Sequence, residues 1–598
     1  MSTRDAPVDR SRWIVGVMLL ALVVTAAYVL HRAWVLRVDQ WDAFLYLNNT
    51  RRFLGVATAH YQLDKPPLVP ALYMPLVDAT RAEAANLGML VGPHLQAALL
   101  SFLSMVAVFF AFRNAMGWRF ALAGTVLMVG NAVFVRYAPL VLTDMVSAGL
   151  TASSFALWMA ARRRRRFSLF LLCGLSIGLA AITRYQLVML PFALAFAEVF
   201  ASIRERRVED RRWLGLAIAA ALSGALFLWA HKVAFEAVHR EWGARSLLEA
   251  IEYAGAGAQR EWPHEEPWHY FQMLGVVVSP LVHAGAVLGV PIALWRRRPR
   301  DLLFASWLLF LAGPLFRVDH NEVRYLYAAF PALIYFALLP VEELLAIDRV
   351  KRFAQSARGA AAMTAVGVAA LVIAVWPGLD QARRDVSDPF FEEGVILASA
   401  RWLEENNDED LPYWWYGSTH TLHPRDVYRL RHDEFFNVFN FGPHEFEYFT
   451  GRQMPQFAWR GAEPVRPTIR HCPDGCAVIV GTFDDWNTRE LIEHGSPDVP
   501  VQTLIVHRPA RLEWDGEAWV GGDLRLEPGE GREVIPRGEA LGEVGLVVQR
   551  GEGAARTTAL LVDWTPGEPI TLTAREQDTV LVYRIRRALF PRRHEAGS

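Results

Sequence analysis

Residues 13–30 read WIVGVMLLALVVTAAYVL and contain no charged side chain. A helix needs about 20 predominantly apolar residues to cross a bilayer, so this segment predicts a membrane span. Arg4, Arg10 and Arg12 precede the segment. No small-residue cleavage site follows it, which favours an uncleaved anchor over a signal peptide.

Similar apolar segments recur along the chain up to about residue 378. Together with the first, they predict a polytopic α-helical membrane protein with about eleven transmembrane helices. The further segments lie at roughly 95–112, 120–137, 145–161, 167–182, 187–203, 213–231, 270–294, 302–316, 325–345 and 359–377. With 53% hydrophobic and 21% charged residues, the composition excludes a disordered chain, a coiled coil and a small disulfide scaffold.

The arginines test this topology. They concentrate at Arg113 and Arg119 and in residues 162–166, 204–212, 296–300 and 349–358. These loops alternate along the chain and all fall on the side of the N-terminus, which the positive-inside rule assigns to the cytoplasm. An odd number of crossings then places the chain after about residue 378 in the periplasm. Only three of the 61 basic residues are lysines, a bias typical of a GC-rich bacterial genome, so we predict a bacterial inner-membrane protein.

The predicted organisation has three parts. Residues 1–378 form the transmembrane domain, with a first outer loop at 38–93. Residues 379–470 form an outer segment of mixed α/β character, and residues 471–598 form an outer β-rich domain, where alternating runs between Gly and Pro turns favour a β-sandwich. Cys472 and Cys476 flank a turn there, and a disulfide between them is left open.

The sequence argues against two partners, nucleic acid and a nucleotide-linked donor bound on the cytoplasmic side. The net charge of −1 argues against nucleic acid, which requires a large basic excess. The predicted cytoplasmic loops are short and contain no Gly-rich phosphate loop. Any activated donor is therefore reached from the membrane or from the outer face.

The first outer loop contains an acidic residue, Asp42, within a sequence pattern typical of an amphipathic helix. Asp42, Tyr46 and Asn49 share one face of a helix whose other face is apolar. Such a helix lies on a membrane with its polar face toward water or a cavity. The alternative interpretation of Asp42 is a solvated aspartate or a helix cap.

Farther along the same loop, Asp64 and Lys65 precede Pro66 and Pro67. The prolines enforce an extended backbone, so both charged side chains project at the membrane surface. There Lys65 is placed to hold a lipid phosphate and Asp64 to orient it. The alternative is a solvated ion pair.

Three later outer segments also carry charge next to apolar spans. Asp144 begins one span, Arg184 lies where two spans meet, and residues 317–325 crowd five ionisable groups into one connection. Ionisable residues at this depth are functional candidates. Helix capping, snorkelling and solvation are the respective alternatives.

In combination, these segments resemble the GT-C class of polyprenyl-phosphate-sugar glycosyltransferases, closest to the protein O-mannosyltransferase and lipid A aminoarabinose transferase group. The likeness covers residues 10–345 in consistent order and does not extend to the tail. The matching motifs are Asp42-x-x-x-Tyr46, Asp64-Lys65-Pro66-Pro67, Leu142-Thr143-Asp144-Met145, the Gly174 to Arg184 helix, and Arg324-Tyr325-Leu326 followed by Pro331. Ala43 stands where the family has a second acid, a role that Asp39 is placed to take.

This resemblance implies a reaction and its residues. Asp42 is the general base, and Asp144 is a supporting carboxylate. The cations that stabilise the polyprenyl monophosphate leaving group are Lys65, Arg184 and Arg324. The supporting residues are Asp39, Tyr46, Asp64, His320, Glu322 and Tyr325. Direct displacement by the acceptor inverts the anomeric centre.

No cofactor is required by a monophosphate donor, although a divalent metal at His320 with Glu322 or Asp64 is left open. The implied partners are the lipid-linked sugar donor, an envelope acceptor (glycolipid, polysaccharide or protein) and the bilayer. The competing hypotheses are a polytopic lipid or sugar transporter and a non-catalytic envelope assembly protein. Against the first, no repeated half is visible in the sequence.

Overall fold

A computed structural model describes the helical part of the chain and isolated strands of the tail. The described residues are 11–36, 39, 41–56, 65–77, 90–238, 269–317 and 323–387, with Tyr448, Asp515 and the strands given below.

The described helical part consists of α-helices and short 3₁₀ segments. The α-helices are α1 (Ser11–Val35), α2 (Trp41–Phe53), α3 (Leu68–Tyr73), α4 (Val91–Met116), α5 (Trp118–Val129), α6 (Ala132–Tyr137), α7 (Asp144–Arg164), α8 (Phe167–Ala181), α9 (Leu190–Glu205), α10 (Asp210–Val238), α11 (His269–Val277), α12 (Pro280–Arg296), α13 (Pro299–Ala312), α14 (Phe330–Ala346), α15 (Asp348–Gln355) and α16 (Ala357–Ser387). The 3₁₀ segments are Tyr185–Met189, Gly313–Arg317 and Val323–Ala329.

Six helical segments in the described residues are long and apolar enough to cross a membrane. They are Trp13–Val35, Val91–Met116, Tyr185–Glu205, Asp210–Ala230, Val323–Ala346 and Arg358–Arg383. In the first of these, Trp13 and Leu20 are more than half exposed, as expected for a helix that faces lipid. The predicted multi-pass helical membrane protein is confirmed in this form, and the number of about eleven crossings stays a prediction.

The arginine-rich connections lie together at one end of the bundle, here called the arginine end. Arg163 at the end of α7 donates to Asn114 at the end of α4 (2.6 Å), and Arg162 donates to Glu205 at the end of α9 (3.2 Å). Further contacts bring in the ends of α12 and α14. The predicted common side of these loops therefore has a structural counterpart, while its assignment to the cytoplasm stays a prediction.

At the opposite end, hydrogen bonds attach the first outer loop to the bundle. Thr50 of α2 donates to the carbonyl of Pro70 in α3 (3.0 Å), and the amide of Leu68 donates to the carbonyl of Ile182 after α8 (3.0 Å). Tyr448 from the tail packs at this end as well, because Arg51 of α2 donates to its carbonyl (2.7 Å). Loop, bundle and tail thus meet on one side.

A closed cluster of charge also lies at this end, around Asp385 in the last turn of α16. Its carboxylate accepts hydrogen bonds from Arg136 (2.5 Å), Gln381 (2.8 Å) and Tyr28 (3.3 Å). Arg32 donates to its backbone carbonyl (3.1 Å). These contacts join α1, α6 and α16, so the cluster fixes the last helix before the tail.

The tail contains eleven described strands. They are β1 (Tyr413–Gly417), β2 (Phe457–Ala458), β3 (Gly475–Gly481), β4 (Val501–Ile505), β5 (Ala510–Trp514), β6 (Trp519–Gly521), β7 (Leu524–Leu526), β8 (Leu546–Arg550), β9 (Thr557–Leu561), β10 (Ile570–Leu572) and β11 (Thr579–Arg586). One sheet has the order β2-β1-β3-β11-β4, a second β10-β5-β6-β7, and β8 pairs with β9. The predicted boundaries at 378 and 470 and the sandwich stay predictions, and Cys472 lies outside the described residues.

Candidate active site

The site begins with α2, which forms over the predicted helical pattern. Asp42 lies in its first turn, and Phe44 and Leu47 are fully buried. The predicted polar face does not turn to water, however, because Tyr46 and Asn49 are buried too. On this face, the side chain of Asp42 is accessible, with 20% of its surface exposed.

Lys65 lies beside Asp42. Its Nζ is 3.1 Å from Oδ1 of Asp42, and both side chains are about one-fifth exposed. Pro66 and Pro67 follow directly, before α3 begins at Leu68. Because Leu68 is bonded to the end of α8, the Asp-Lys-Pro-Pro segment is held against the bundle. Asp64 lies outside the described residues.

Arg324 occupies the other side of Asp42. Its Nη2 is 2.5 Å from Oδ2 of Asp42, so each carboxylate oxygen of Asp42 meets a different cation. The same guanidinium places Nη1 3.8 Å from Oδ2 of Asp144. Arg324 therefore lies between two carboxylates that are about one hundred residues apart in the sequence.

The second carboxylate pairs with the third predicted cation. Asp144 is the first residue of α7, and Nη1 of Arg184 donates to its Oδ1 at 2.5 Å. Arg184 reaches it from an extended residue between α8 and the following 3₁₀ segment. Oδ2 of Asp144 is buried and accepts no hydrogen bond among the described residues, which leaves an acceptor available inside the site.

Tyr325 supports both arginines from one ring. The guanidinium carbons of Arg184 and Arg324 lie 4.6 Å and 5.3 Å from its centroid, within range for cation–π attraction. Gln186 donates to the carbonyl of Tyr325 (3.2 Å). The ring thus keeps the two cations side by side without adding a negative charge.

Five charged side chains therefore form one cluster, here called the charged cluster: Asp42, Lys65, Asp144, Arg184 and Arg324. Its three cations and two carboxylates leave a net charge of +1, which suits an anionic ligand. Burial would raise the pKa of Asp42, but Lys65 and Arg324 outweigh burial and hold that pKa well below its usual range. Asp42 is ionised throughout the physiological range.

Tyr46 lies next to this cluster. Burial raises the pKa of its hydroxyl, so the side chain remains a neutral hydrogen-bond donor at physiological pH. The charges of Lys65, Asp42 and Arg184 also act on this pKa, which places the hydroxyl within the electrostatic field of the charged cluster.

Asp39 serves a different contact. Its Oδ2 accepts from the amide of Val141 (2.8 Å) and lies 3.0 Å from Nε2 of His94, and both side chains are fully buried. These contacts anchor the start of the first outer loop to α4. His94 was not singled out from the sequence, although an ionisable residue at the start of an apolar span is a usable signal.

The remaining predicted positions are His320 and Glu322, which lie outside the described residues together with Asp64. Among the residues that the structure describes, no group of three His, Cys, Asp or Glu side chains is arranged to hold a metal ion.

Part of the chain is similar to a known protein family. Residues 89–229 match the family model for dolichyl-phosphate-mannose-protein mannosyltransferase. The match runs from α4 through most of α10 and includes Asp144 and Arg184, while Asp42, Lys65 and Arg324 lie outside it. No curated protein sequence matches the chain.

Solved structures extend the likeness beyond that segment. ArnT from Cupriavidus metallidurans bound to undecaprenyl phosphate superimposes with a TM-score of 0.54 at 12% identity, over 82% of this chain and 96% of that chain. The apo oligosaccharyltransferase from Archaeoglobus fulgidus gives a TM-score of 0.53 at 11% identity, over 85% and 74%. The chain has the GT-C glycosyltransferase fold. The resemblance found in the sequence is confirmed.

Within the GT-C fold, the charged cluster lies where the first outer loop meets the starts and ends of the helices. Each of its five members was predicted as a catalytic or phosphate-binding residue, and the fold brings all five into contact range.

Proposed function

We propose that the chain is an integral membrane glycosyltransferase. It moves a sugar from a polyprenyl (undecaprenyl) phosphate carrier to an envelope acceptor, which is a glycolipid, a polysaccharide or a protein, on the periplasmic side. The observation that carries this proposal is the position of Asp42 between Lys65 and Arg324. A base and the cations for a phosphate leaving group are adjacent. The undecaprenyl phosphate bound to the structurally similar ArnT supports the choice of carrier.

The proposed reaction has one chemical step. Asp42 takes the proton of an acceptor hydroxyl as that oxygen attacks the anomeric carbon of the donor. The bond between the anomeric carbon and the phosphate oxygen breaks, and its electron pair leaves with the polyprenyl monophosphate. Attack opposite the leaving group inverts the anomeric configuration.

The cations act on the leaving group. Negative charge grows on the phosphate as the bond breaks, and fixed cations in a water-poor site stabilise that charge strongly. Lys65, Arg184 and Arg324 provide three such charges. Asp144 holds the two arginines in place through its contacts with both, and Tyr325 stacks against them.

While Lys65 and Arg324 engage both of its oxygens, Asp42 is a weak base, because these cations lower its pKa. A donor phosphate competes with Asp42 for Lys65 and Arg324. When these cations turn to the phosphate, Asp42 loses their stabilisation and gains a negative neighbour, and both changes raise its pKa. Donor binding therefore activates the base.

The test separates an enzyme from a transporter. Purified protein in liposomes receives a polyprenyl-phosphate sugar with an acceptor extract, and both sugar transfer and transbilayer movement of the donor are measured. We expect transfer in the wild type and none in Asp42→Asn. Donor movement without transfer in any acceptor fraction would favour the transporter hypothesis.

The periplasmic placement has a separate test. Reporter fusions after residue 380 are expected to be active outside, and fusions near Arg164 or Arg298 only inside. A tail reporter that is active only in the cytoplasm would place the charged cluster in the wrong compartment and refute the proposed sidedness.

A further inference from the structure

Helices α4 and α7 enclose a cavity at the arginine end. The two helices pack closely in the bundle, where a Cβ on Gly149 would meet Oγ of Ser104 at 2.3 Å. Nearer the arginine end, a cavity of about 590 Å³ lies between residues 107–114 of α4 and 153–164 of α7. It is half-open to the surroundings of the bundle.

The polar part of this cavity is basic. Arg113, Arg163 and Arg164 line it together with Asn114, and none of its lining residues is acidic. Among the described residues, no carboxylate forms an ion pair with these three arginines. Other arginines at the same end do have such partners: Arg162 pairs with Glu198 and Glu205, Arg212 with Glu198, Glu205 and Glu209, Arg165 with Glu209, Arg296 with Glu343 and Arg300 with Glu342.

Apart from Ser153, the remaining lining is apolar, and apolar side chains continue along the exposed side of α4. Phe110 and Leu157 line the cavity. Phe110 is 45% exposed, and Leu103, two turns nearer the bundle centre, is 57% exposed. A basic mouth above an apolar surface matches an anionic headgroup above its acyl chains, and basic pockets between transmembrane helices bind such headgroups.

This cavity is distinct from the charged cluster. Helix α7 starts at Asp144 and ends at Arg164, and its 21 residues span about 30 Å at 1.5 Å per residue. The two sites therefore lie at opposite ends of one helix.

We propose that the cavity binds one anionic phospholipid of the leaflet at the arginine end. Its phosphodiester is held by Arg113, Arg163 and Arg164 through charge-assisted hydrogen bonds, and its acyl chains lie along Phe110 and Leu103. The lipid fills the space between α4 and α7 and neutralises the positive charge of the arginines that line it.

The test measures lipid binding to the full chain by native mass spectrometry, with dioleoylphosphatidylglycerol and dioleoylphosphatidylcholine as probes. We expect one retained phosphatidylglycerol and about 100-fold weaker binding in the triple variant Arg113→Gln, Arg163→Gln, Arg164→Gln, because each arginine near an anionic headgroup contributes about fivefold. The matched triple Arg349→Gln, Arg352→Gln, Arg358→Gln removes three exposed arginines at the same end and is expected to bind like the wild type.

A second variant tests shape without changing charge. Ala160→Trp fills the cavity and is expected to abolish selective retention, with thermal unfolding measured to confirm folding. Equal retention of both lipids, equal loss in the two triple variants, undiminished binding in Ala160→Trp, or displacement of phosphatidylglycerol by millimolar inorganic phosphate would each overturn the proposal. These outcomes do not depend on sugar transfer, so they are independent of the proposed function.

Discussion

Two buried groups of charge lie at the same end of the bundle and are built differently. Asp385 is 3% exposed, and its carboxylate accepts from one arginine and two neutral donors, Gln381 and Tyr28. Asp42 is 20% exposed, and its two carboxylate oxygens contact two cations, Lys65 and Arg324. The first group is closed and joins three helices, whereas the second can exchange its partners with an incoming anion.

The contrast separates charge that holds the fold from charge that is proposed to perform chemistry. Removing one member of a closed ion pair destabilises the folded protein strongly, because the remaining charge stays buried. A base must instead release its partners during the reaction, so its removal affects rate more than folding. A substitution at Asp385 is therefore expected to reduce mainly the stability of the protein, and a substitution at Asp42 mainly the rate of sugar transfer.

The largest expected effect is on stability at Asp385. Asp385→Asn removes the carboxylate charge that buried Arg136 contacts at 2.5 Å and should lower the free energy of unfolding by about 3–5 kcal/mol. Thermal unfolding of purified protein measures this loss. Asp348→Asn, at a side chain that is 89% exposed, serves as the control. A variant at Asp385 with wild-type stability would remove the distinction between the two clusters.

The next effect is on rate at Asp42. Asp42→Asn keeps the shape but removes the base, and transfer should fall about 10³-fold or below detection, with near-normal thermal unfolding. Asp144→Asn should cost a similar amount or less. If Asp39→Asn is inactive while Asp42→Asn is nearly normal, the assignment of the base to α2 is wrong.

The next effect is at Lys65, where substitution is expected to lower the rate of sugar transfer by about 10²-fold. Lys65→Ala removes one cation from the leaving group, comparable to the loss of one oxyanion-hole donor. Lys65→Arg should recover only part of the rate, since a planar guanidinium spreads its charge. Steady-state kinetics with varied donor decide this, with Lys351→Ala, a 56% exposed lysine, as control. Full activity in Lys65→Ala would assign the phosphate to Arg184 and Arg324.

A smaller effect concerns pH. Lys65 and Arg324 lower the pKa of Asp42, and the proposed competition with a donor phosphate would raise it. A phosphodiester donor stays a monoanion from pH 4 to 8, so it adds no titration of its own. The acid limb of kcat should therefore lie about one pH unit above that of kcat/KM. Coincident limbs would show that the donor does not alter the base.

Local patterns in the sequence were sufficient to predict several features. Apolar runs and arginines predicted the helices and their common arginine end, and α2 forms over the pattern that contains Asp42. Lys65 was conspicuous because lysine is rare in this chain. The predictions of the helices and of their common end succeed because each rests on a short segment whose environment, lipid or membrane surface, is uniform. The role of Lys65 stays a prediction.

Other features depend on contacts between distant segments, which no local pattern encodes. Arg324 meets Asp42 across 282 residues, and Arg136 meets Asp385 across 249. Asn49 is fully buried although it is polar, in a helix that packs against α3. His94 likewise gains its carboxylate partner only when the first outer loop folds back onto α4.

Asp42 and the donor phosphate are proposed to compete for the same two cations, Lys65 and Arg324. The most direct test is the dissociation constant for undecaprenyl phosphate, the proposed product, in wild type and in Asp42→Asn. Removing the competing carboxylate should make the variant that no longer transfers sugar bind the lipid phosphate more tightly, by about tenfold. Weaker or unchanged binding in Asp42→Asn would contradict this account.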